Sequence, residues 1–259
     1  MVQRPIRQLQ LLLQRKEIMK HVVSGVTDRT QLVNYVGDSR STVYRALDDL
    51  AEEGLLVEKR GNYSPTPLAE ILFEEVIDLH EMSTTVNKAE AIIQSMDGED
   101  LVPHLFQDAS VTLPTRYAPN KPFSAVSEFA SGKSTLRVLI PGFIPQVITA
   151  LSDHMAEAEV EVVVEEDSLA TLERKSAVRA ELGPLIERKG IRTTSSEIPF
   201  ILLVTDRSSP STCLVGYDNG RILGTIETTA PKAYQWATDL YMSHHSSSTL
   251  VGPEAVKMT

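Results

Sequence analysis

Between Ser39 and Arg45 the chain gathers two guanidinium groups, Arg40 and Arg45, and the hydroxyls of Ser39, Ser41, Thr42 and Tyr44. A second cluster, Lys59, Arg60, Asn62 and Tyr63, follows soon after. These residue types meet phosphate oxygens and base edges, with positive charge supplying attraction and hydroxyls and amides supplying directional bonds. The pattern points to binding of double-stranded DNA.

Chemistry of other kinds finds weaker footing. Gly132-Lys133-Ser134-Thr135 has the ending of a phosphate-binding P-loop, but Ser127 stands where the earlier glycine is required, and a strand is predicted where a helix should follow. The histidines form no H-x-K pair, and His244-His245 lie at the end of a helix without lysine or aspartate partners at catalytic spacing. Glu165-Glu166-Asp167 reads as a solvated loop, and Cys213 is a lone cysteine in an apolar run. No catalytic residue, metal site or cofactor is expected, and the chain is read as a non-enzyme. In an open α/β sheet, small molecules bind beyond the carboxyl ends of strands. That rule selects Gly142, Phe143, Glu166, Asp206 and Arg207 as effector-binding candidates, with Thr115 and Arg116 on a Pro-flanked segment able to fold over the same crevice.

The elements that must position the first two clusters are short and strongly punctuated. Pro5 to Val23 carries one broad apolar face, interrupted at Arg15-Lys16-Glu17. Thr27 is a candidate cap for a helix over Asp28 to Tyr35, with Leu32, Val33 and Val36 inward. Gly37 allows a tight reversal. A helix then runs from about Ser39 to Glu53, capped by Asp38 or Ser39 and burying Val43, Ala46, Leu47 and Leu50. Leu55 to Tyr63 reads as two strands around a basic turn. From Leu68 to about Ser95, apolar residues recur as a heptad seam (Leu68, Leu72, Leu79, Met82, Val86, Ala89, Ile93, Met96), with Glu75 as its acidic interruption. The seam suits either a dimer contact or packing on the chain's own C-terminal domain. Beyond Asp97-Gly98-Glu99-Asp100 the pattern becomes strands alternating with helices, including helices over Pro145–Ala158 and Ser168–Lys189. A hairpin around Asp218-Asn219-Gly220 and a closing helix over Pro231–His244 complete it.

The stretch from Val26 to Glu70, with Ser39-Arg40-Ser41-Thr42-Val43-Tyr44-Arg45-Ala46-Leu47, Glu53-Gly54-Leu55 and Thr66-Pro67-Leu68, resembles the winged helix-turn-helix of archaeal and bacterial regulators related to the ArsR, MarR and TrmB groups. The resemblance implies that Ser39 to Arg45 enter the major groove while Lys59 to Tyr63 track the adjacent backbone. Val111-Thr112-Leu113-Pro114-Thr115 with Asn120-Lys121-Pro122, Pro141-Gly142-Phe143-Ile144-Pro145, and Ile198-Pro199-Phe200 before Val204-Thr205-Asp206 resemble the middle domain of the methanogenesis-regulator type. The sheet is also similar to sensor domains of sugar-responsive regulators related to phospholipase D folds.

The expected fold class is therefore α/β. A winged-helix DNA-binding domain (1–67) is followed by a connecting helix (68–98), a sensor domain with a mixed sheet (99–246) and a polar tail (247–259). Charge divides accordingly. Residues 1–66 hold ten Lys+Arg against eight Asp+Glu, and residues 67–259 hold fifteen against twenty-seven, within an overall net charge of -10. No apolar run approaches the ~20 residues that cross a bilayer. The reading is a cytoplasmic, homodimeric transcriptional regulator responding to a small molecule or a partner. Its alternatives are an α/β enzyme carrying a regulatory winged domain and a winged helix used for protein contacts.

Overall fold

The computed structural model describes residues 3–96, 101–142, 144–152, 158–168, 191–206, 208–218 and 221–251. The chain divides into two compact units, residues 1–83 and 84–259.

In the first unit, α1 (Gln3–Gln14) and α2 (Lys16–Val23) are separated at Arg15, the interruption read from the sequence. The cap of α3 (Arg29–Val36) is Asp28 rather than Thr27, its carboxylate accepting from the N–H groups of Thr30 and Gln31, both at 2.9 Å. A two-oxygen acceptor one residue later is the better partner for the free amides of a first turn. Gly37 closes α3 at φ 76, a left-handed conformation that L side chains rarely adopt. Ser39 caps α4 (Arg40–Glu52), and β1 (Leu56–Lys59) and β2 (Asn62–Pro65) form an antiparallel hairpin. Thr66 Oγ1 caps α5 (Pro67–Lys88) through the N–H of Ala69 at 3.2 Å.

One core unites these pieces. Leu12, Met19, Leu32, Val43, Leu47, Leu50 and Leu55 are inaccessible, and Ala69, Phe73 and Val76 of α5 close the cluster. Each such aliphatic side chain contributes roughly 1.5–3 kcal/mol by leaving water. α1 is also held through Glu53 at the end of α4: Arg7 Nε lies 2.9 Å from its carboxylate, and Gln8 Nε2 donates to its carbonyl at 2.9 Å. An acid at a helix C-terminus opposes the helix dipole, so the α1 arginines neutralise an unfavourable charge there.

The face of α5 that enters this core is Ala69-Phe73-Val76, offset from the expected seam. Leu68 and Leu79 stay exposed, and so does the adjacent Ile71. The helix also breaks at Ala89, leaving α6 (Glu90–Ile93) as a separate turn.

Among the described residues, the second unit is built on an eight-stranded sheet ordered β10-β6-β5-β4-β7-β8-β9-β3. Its strands are β3 (Ser110–Thr112), β4 (Thr135–Ile140), β5 (Glu159–Glu165), β6 (Ile191–Thr194), β7 (Ile201–Thr205), β8 (Thr212–Asp218), β9 (Arg221–Thr228) and β10 (Thr249–Val251). β4, β5 and β6 are mutually parallel, and every other pairing is antiparallel. α7 (Lys121–Ala130) and α8 (Pro145–Ser152) cover the face lined by Leu136, Val138, Val162 and Leu203. α9 (Pro231–Ser246) covers the opposite face, where Tyr241 O–H donates to Glu161 Oε2 at 3.3 Å.

Sequence periodicity did not announce α7 or β3. The polar-tail expectation needs correction, because Thr249–Val251 is strand β10, paired with β6 and tied by Arg192, which donates from Nε to Ser248 Oγ at 2.7 Å. The expected Asp97–Asp100 linker, the Asn219-Gly220 turn and nearly all of the helix over Ser168–Lys189 fall outside the described residues, as does the end of the Pro145–Ala158 helix.

Candidate nucleic-acid interface

The Ser39 hydroxyl is the organising group at the start of α4. It accepts from the N–H of Thr42 at 3.2 Å and lies 3.0 Å from Ser41 Oγ and 2.8 Å from Thr42 Oγ1. Ser39 and Thr42 thus spend their side chains on the cap while remaining at the surface. Arg40, Ser41 and Arg45 are exposed on the helix whose other side packs Val43, Ala46, Leu47 and Leu50.

The hairpin is anchored to α3. Tyr63 N–H donates to Thr27 O at 2.8 Å, a β-bridge joins Asp28 to Asn62, and Thr27 Oγ1 donates to Asn62 Oδ1 at 3.4 Å. Lys59, Arg60 and Asn62 project at the tip and are exposed. Tyr63 does not join them. It is 4% exposed within the core, and its O–H donates to Asp48 Oδ1 at 3.3 Å. Burial, followed by the nearby Asp48 and Glu58 carboxylates, pushes its phenol above its ordinary range. Alternation along β2 sends Tyr63 inward and its neighbours outward, so its side chain anchors the wing rather than reaching outward for a ligand.

Among the described residues, no carboxylate stands within ion-pair distance of Arg40, Arg45, Lys59 or Arg60, whereas Arg4, Arg7 and Arg15 are all paired. One residue of this surface escaped the sequence reading. Arg29, the first residue of α3, holds its guanidinium 4.8 Å from the centre of the Tyr44 ring. Its sign was the available signal, since a cation in a first turn opposes the helix dipole.

The effector candidates separate. β7 runs antiparallel to β4, so Asp206 lies beside Ser134 at the amino end of β4, at the opposite end of the sheet from Gly142 and Glu166. Its carboxylate accepts from the Ser134 and Ser208 hydroxyls, which, with the Ser208 amide, hold it well below the usual carboxylate range. Thr115 closes a local turn with Ala118 beyond β3, at the far edge of the sheet. Arg116 is exposed in the same turn. Phe143 and Arg207 fall outside the described residues. Glu166 does line a cavity of about 660 Å³ beyond the carboxyl ends of β4, β5 and β6, with Pro141, immediately before Gly142, also in its wall. Glu165, Asp167, Glu197 and Tyr217 share that wall, as do residues 94–96. Burial and Glu165 push the Tyr217 phenol up. Among the described residues no His, Cys, Asp and Glu group could hold a metal ion, and no helix is long and apolar enough to cross a membrane.

Comparison with known proteins agrees with this architecture. Residues 3–88 match the HVO_A0261 N-terminal domain, and residues 119–247 match the middle domain of the methanogenesis regulatory protein FilR1. No curated protein matches the chain. Among solved structures, the archaeal chromatin protein TrmBL2, described as having a novel mode of DNA binding, is 14% identical over 95% of this chain and 99% of its own, with a TM-score of 0.38. The phospholipase D family member Nuc from Salmonella typhimurium is 14% identical over 56% of this chain and 99% of its own (TM-score 0.42). NucT from Helicobacter pylori is 11% identical over 55% and 98% respectively (TM-score 0.39). These structural likenesses are distant. With one family model spanning the winged helix and α5 and the other most of the α/β unit, the chain joins an HVO_A0261-type N-terminal domain to a middle domain of the methanogenesis-regulator FilR1 type.

Proposed function

We propose that the chain acts in the cytoplasm as a homodimeric regulator that grips an operator in double-stranded DNA. The carrying observation is the set of exposed cations without carboxylate partners among the described residues, Arg40 and Arg45 on α4 and Lys59 and Arg60 on the wing. Held on a capped helix and a tight hairpin, they suit a helix entering the major groove beside a wing following the phosphates. Ser41 and Asn62 add exposed hydrogen-bonding groups to the same surface. Arg40→Ala with Arg45→Ala should abolish operator binding while leaving thermal unfolding unchanged, and the wild-type affinity should fall steeply with salt as counterions are released. Unchanged affinity in the double variant would sink the reading.

Dimerisation is favoured by the exposed stripe on α5, where Ile71 is 66% and Leu79 is 60% accessible. Two copies joined there would present their α4 helices to successive turns of DNA, roughly 34 Å apart. The acidic cavity at the strand ends supports modulation by a small molecule bearing positive charge. Such a ligand should shift the melting temperature and the operator affinity together.

A further inference from the structure

We infer that Arg29 is a backbone-phosphate contact of the DNA interface and that Tyr44 is a positioning residue that aims it rather than a reader of bases. The inference rests on the DNA-binding reading and adds a residue and a division of roles to it. Arg29 is exposed at the first position of α3, where its charge works against the helix dipole, so local helix stability does not explain it. The neighbouring Asp28 carboxylate is occupied by two backbone amides. No carboxylate among the described residues stands within ion-pair distance of Arg29. Its guanidinium instead lies 4.8 Å from the centre of the half-buried Tyr44 ring.

That arrangement has two consequences. Stacking on a ring fixes the plane of a guanidinium while leaving its N–H edge free for an oxyanion. The ring face covered in this way is taken by Arg29 and is not available to stack on a base. Tyr44 lies one helical turn after Arg40 on the same side of α4, so its stack sets Arg29 beside the Arg40 position. The Asp28–Asn62 bridge ties the same point to the wing. Arg29 therefore sits where α3, α4 and the hairpin meet, the place at which the first helix of a helix-turn-helix crosses the backbone.

The test uses the full chain and a mixed-sequence DNA duplex, with affinity measured across a salt series. Phosphate contacts contribute without regard to sequence, so no operator is needed. Arg29→Ala should weaken binding about tenfold and lower the salt slope by about one. Tyr44→Leu should reproduce most of that loss, and little should be added when the two are combined. Tyr44→Phe, which keeps the ring, should restore wild-type affinity and slope. Full additivity of Arg29→Ala and Tyr44→Leu would make Tyr44 an independent contact and overturn the inference, as would an unchanged slope in Arg29→Ala. The Arg40→Ala, Arg45→Ala variant measured alongside separates the two levels. If it loses binding while Arg29→Ala does not, only this inference fails; if it binds like the wild type, the DNA-binding reading fails with it.

Discussion

Ile92 fills a notch in the sheet that exists because Gly216 has no side chain. A β-carbon at Gly216 would come within 2.6 Å of Ile92 Cγ2, and one at its cross-strand partner Gly224 within 2.7 Å of Ile92 Cδ1. The short α6 is thus keyed to β8 and β9 by one fully buried side chain. Gly216→Ala should destabilise the unit of residues 84–259 by about 1–3 kcal/mol through overpacking. Ile92→Ala should cost about 2–5 kcal/mol through the cavity it leaves. The two changes touch the same space, so the double variant should lose less than the sum, which urea unfolding of the four species will measure.

The wing turns on two residues, Arg60 at φ 55 and Gly61 at φ 79. A two-residue hairpin with both φ positive favours Asn-Gly, and an arginine in the first position is a strained choice. Arg60→Asn should raise stability by about 0.5–1 kcal/mol while weakening DNA binding and lowering its salt slope. A variant that gains stability and keeps its full affinity would show that the Arg60 charge is idle.

Ile71→Asp combined with Leu79→Asp places charge on the exposed stripe of α5 without touching Ala69, Phe73 or Val76. Sedimentation should find the wild type dimeric, as proposed, and this variant monomeric. Operator affinity should fall by more than tenfold, because one reading head alone loses the second half-site. Unfolding of residues 1–83 should change little.

Two carboxylates give opposite pH signatures. Burial pushes Glu227 up, so the folded state holds its proton more tightly than the unfolded chain. Its favourable contribution is present below the unfolded value near pH 4.3 and lost as pH rises through the folded value. Glu227→Gln should therefore raise the melting temperature at neutral pH and give no gain below about pH 4. Asp206 behaves in reverse. Its hydroxyl and amide donors hold it down, so it stabilises above about pH 3.9 and that contribution is lost as pH falls. Asp206→Asn should lower the melting temperature at neutral pH, with the deficit shrinking in acid.

The winged helix was legible because its signals are local: Gly37, the Ser39 cap, the apolar spacing of Val43, Leu47 and Leu50, and the basic turn at Arg60-Gly61. Tyr63 misled, because a phenol beside basic residues suggests a DNA contact. The period-2 alternation of a strand, applied to Asn62-Tyr63-Ser64, would have turned it inward. The direction of β7 was not legible. Ile201 to Thr205 is buried throughout, and a strand covered on both faces has the same composition whether it runs parallel or antiparallel. Its direction depends on connections, and reversing it carried Asp206 away from the Glu166 end of the sheet. Arg29 and Tyr44 are fifteen positions apart in sequence, and their stacking depends on how α3 crosses α4, a tertiary fact that neither helix states alone.

Among the described residues, β10 adds three residues to the sheet, and β3 at the other end adds three. Both outermost ladders are therefore too short to template the strands of a neighbouring molecule, the hazard that exposed sheet margins carry. Without β10, the flank of β6 would be open from Ile191 to Thr193. Trimming the chain after Ser247 would uncover that flank and favour strand-to-strand self-association.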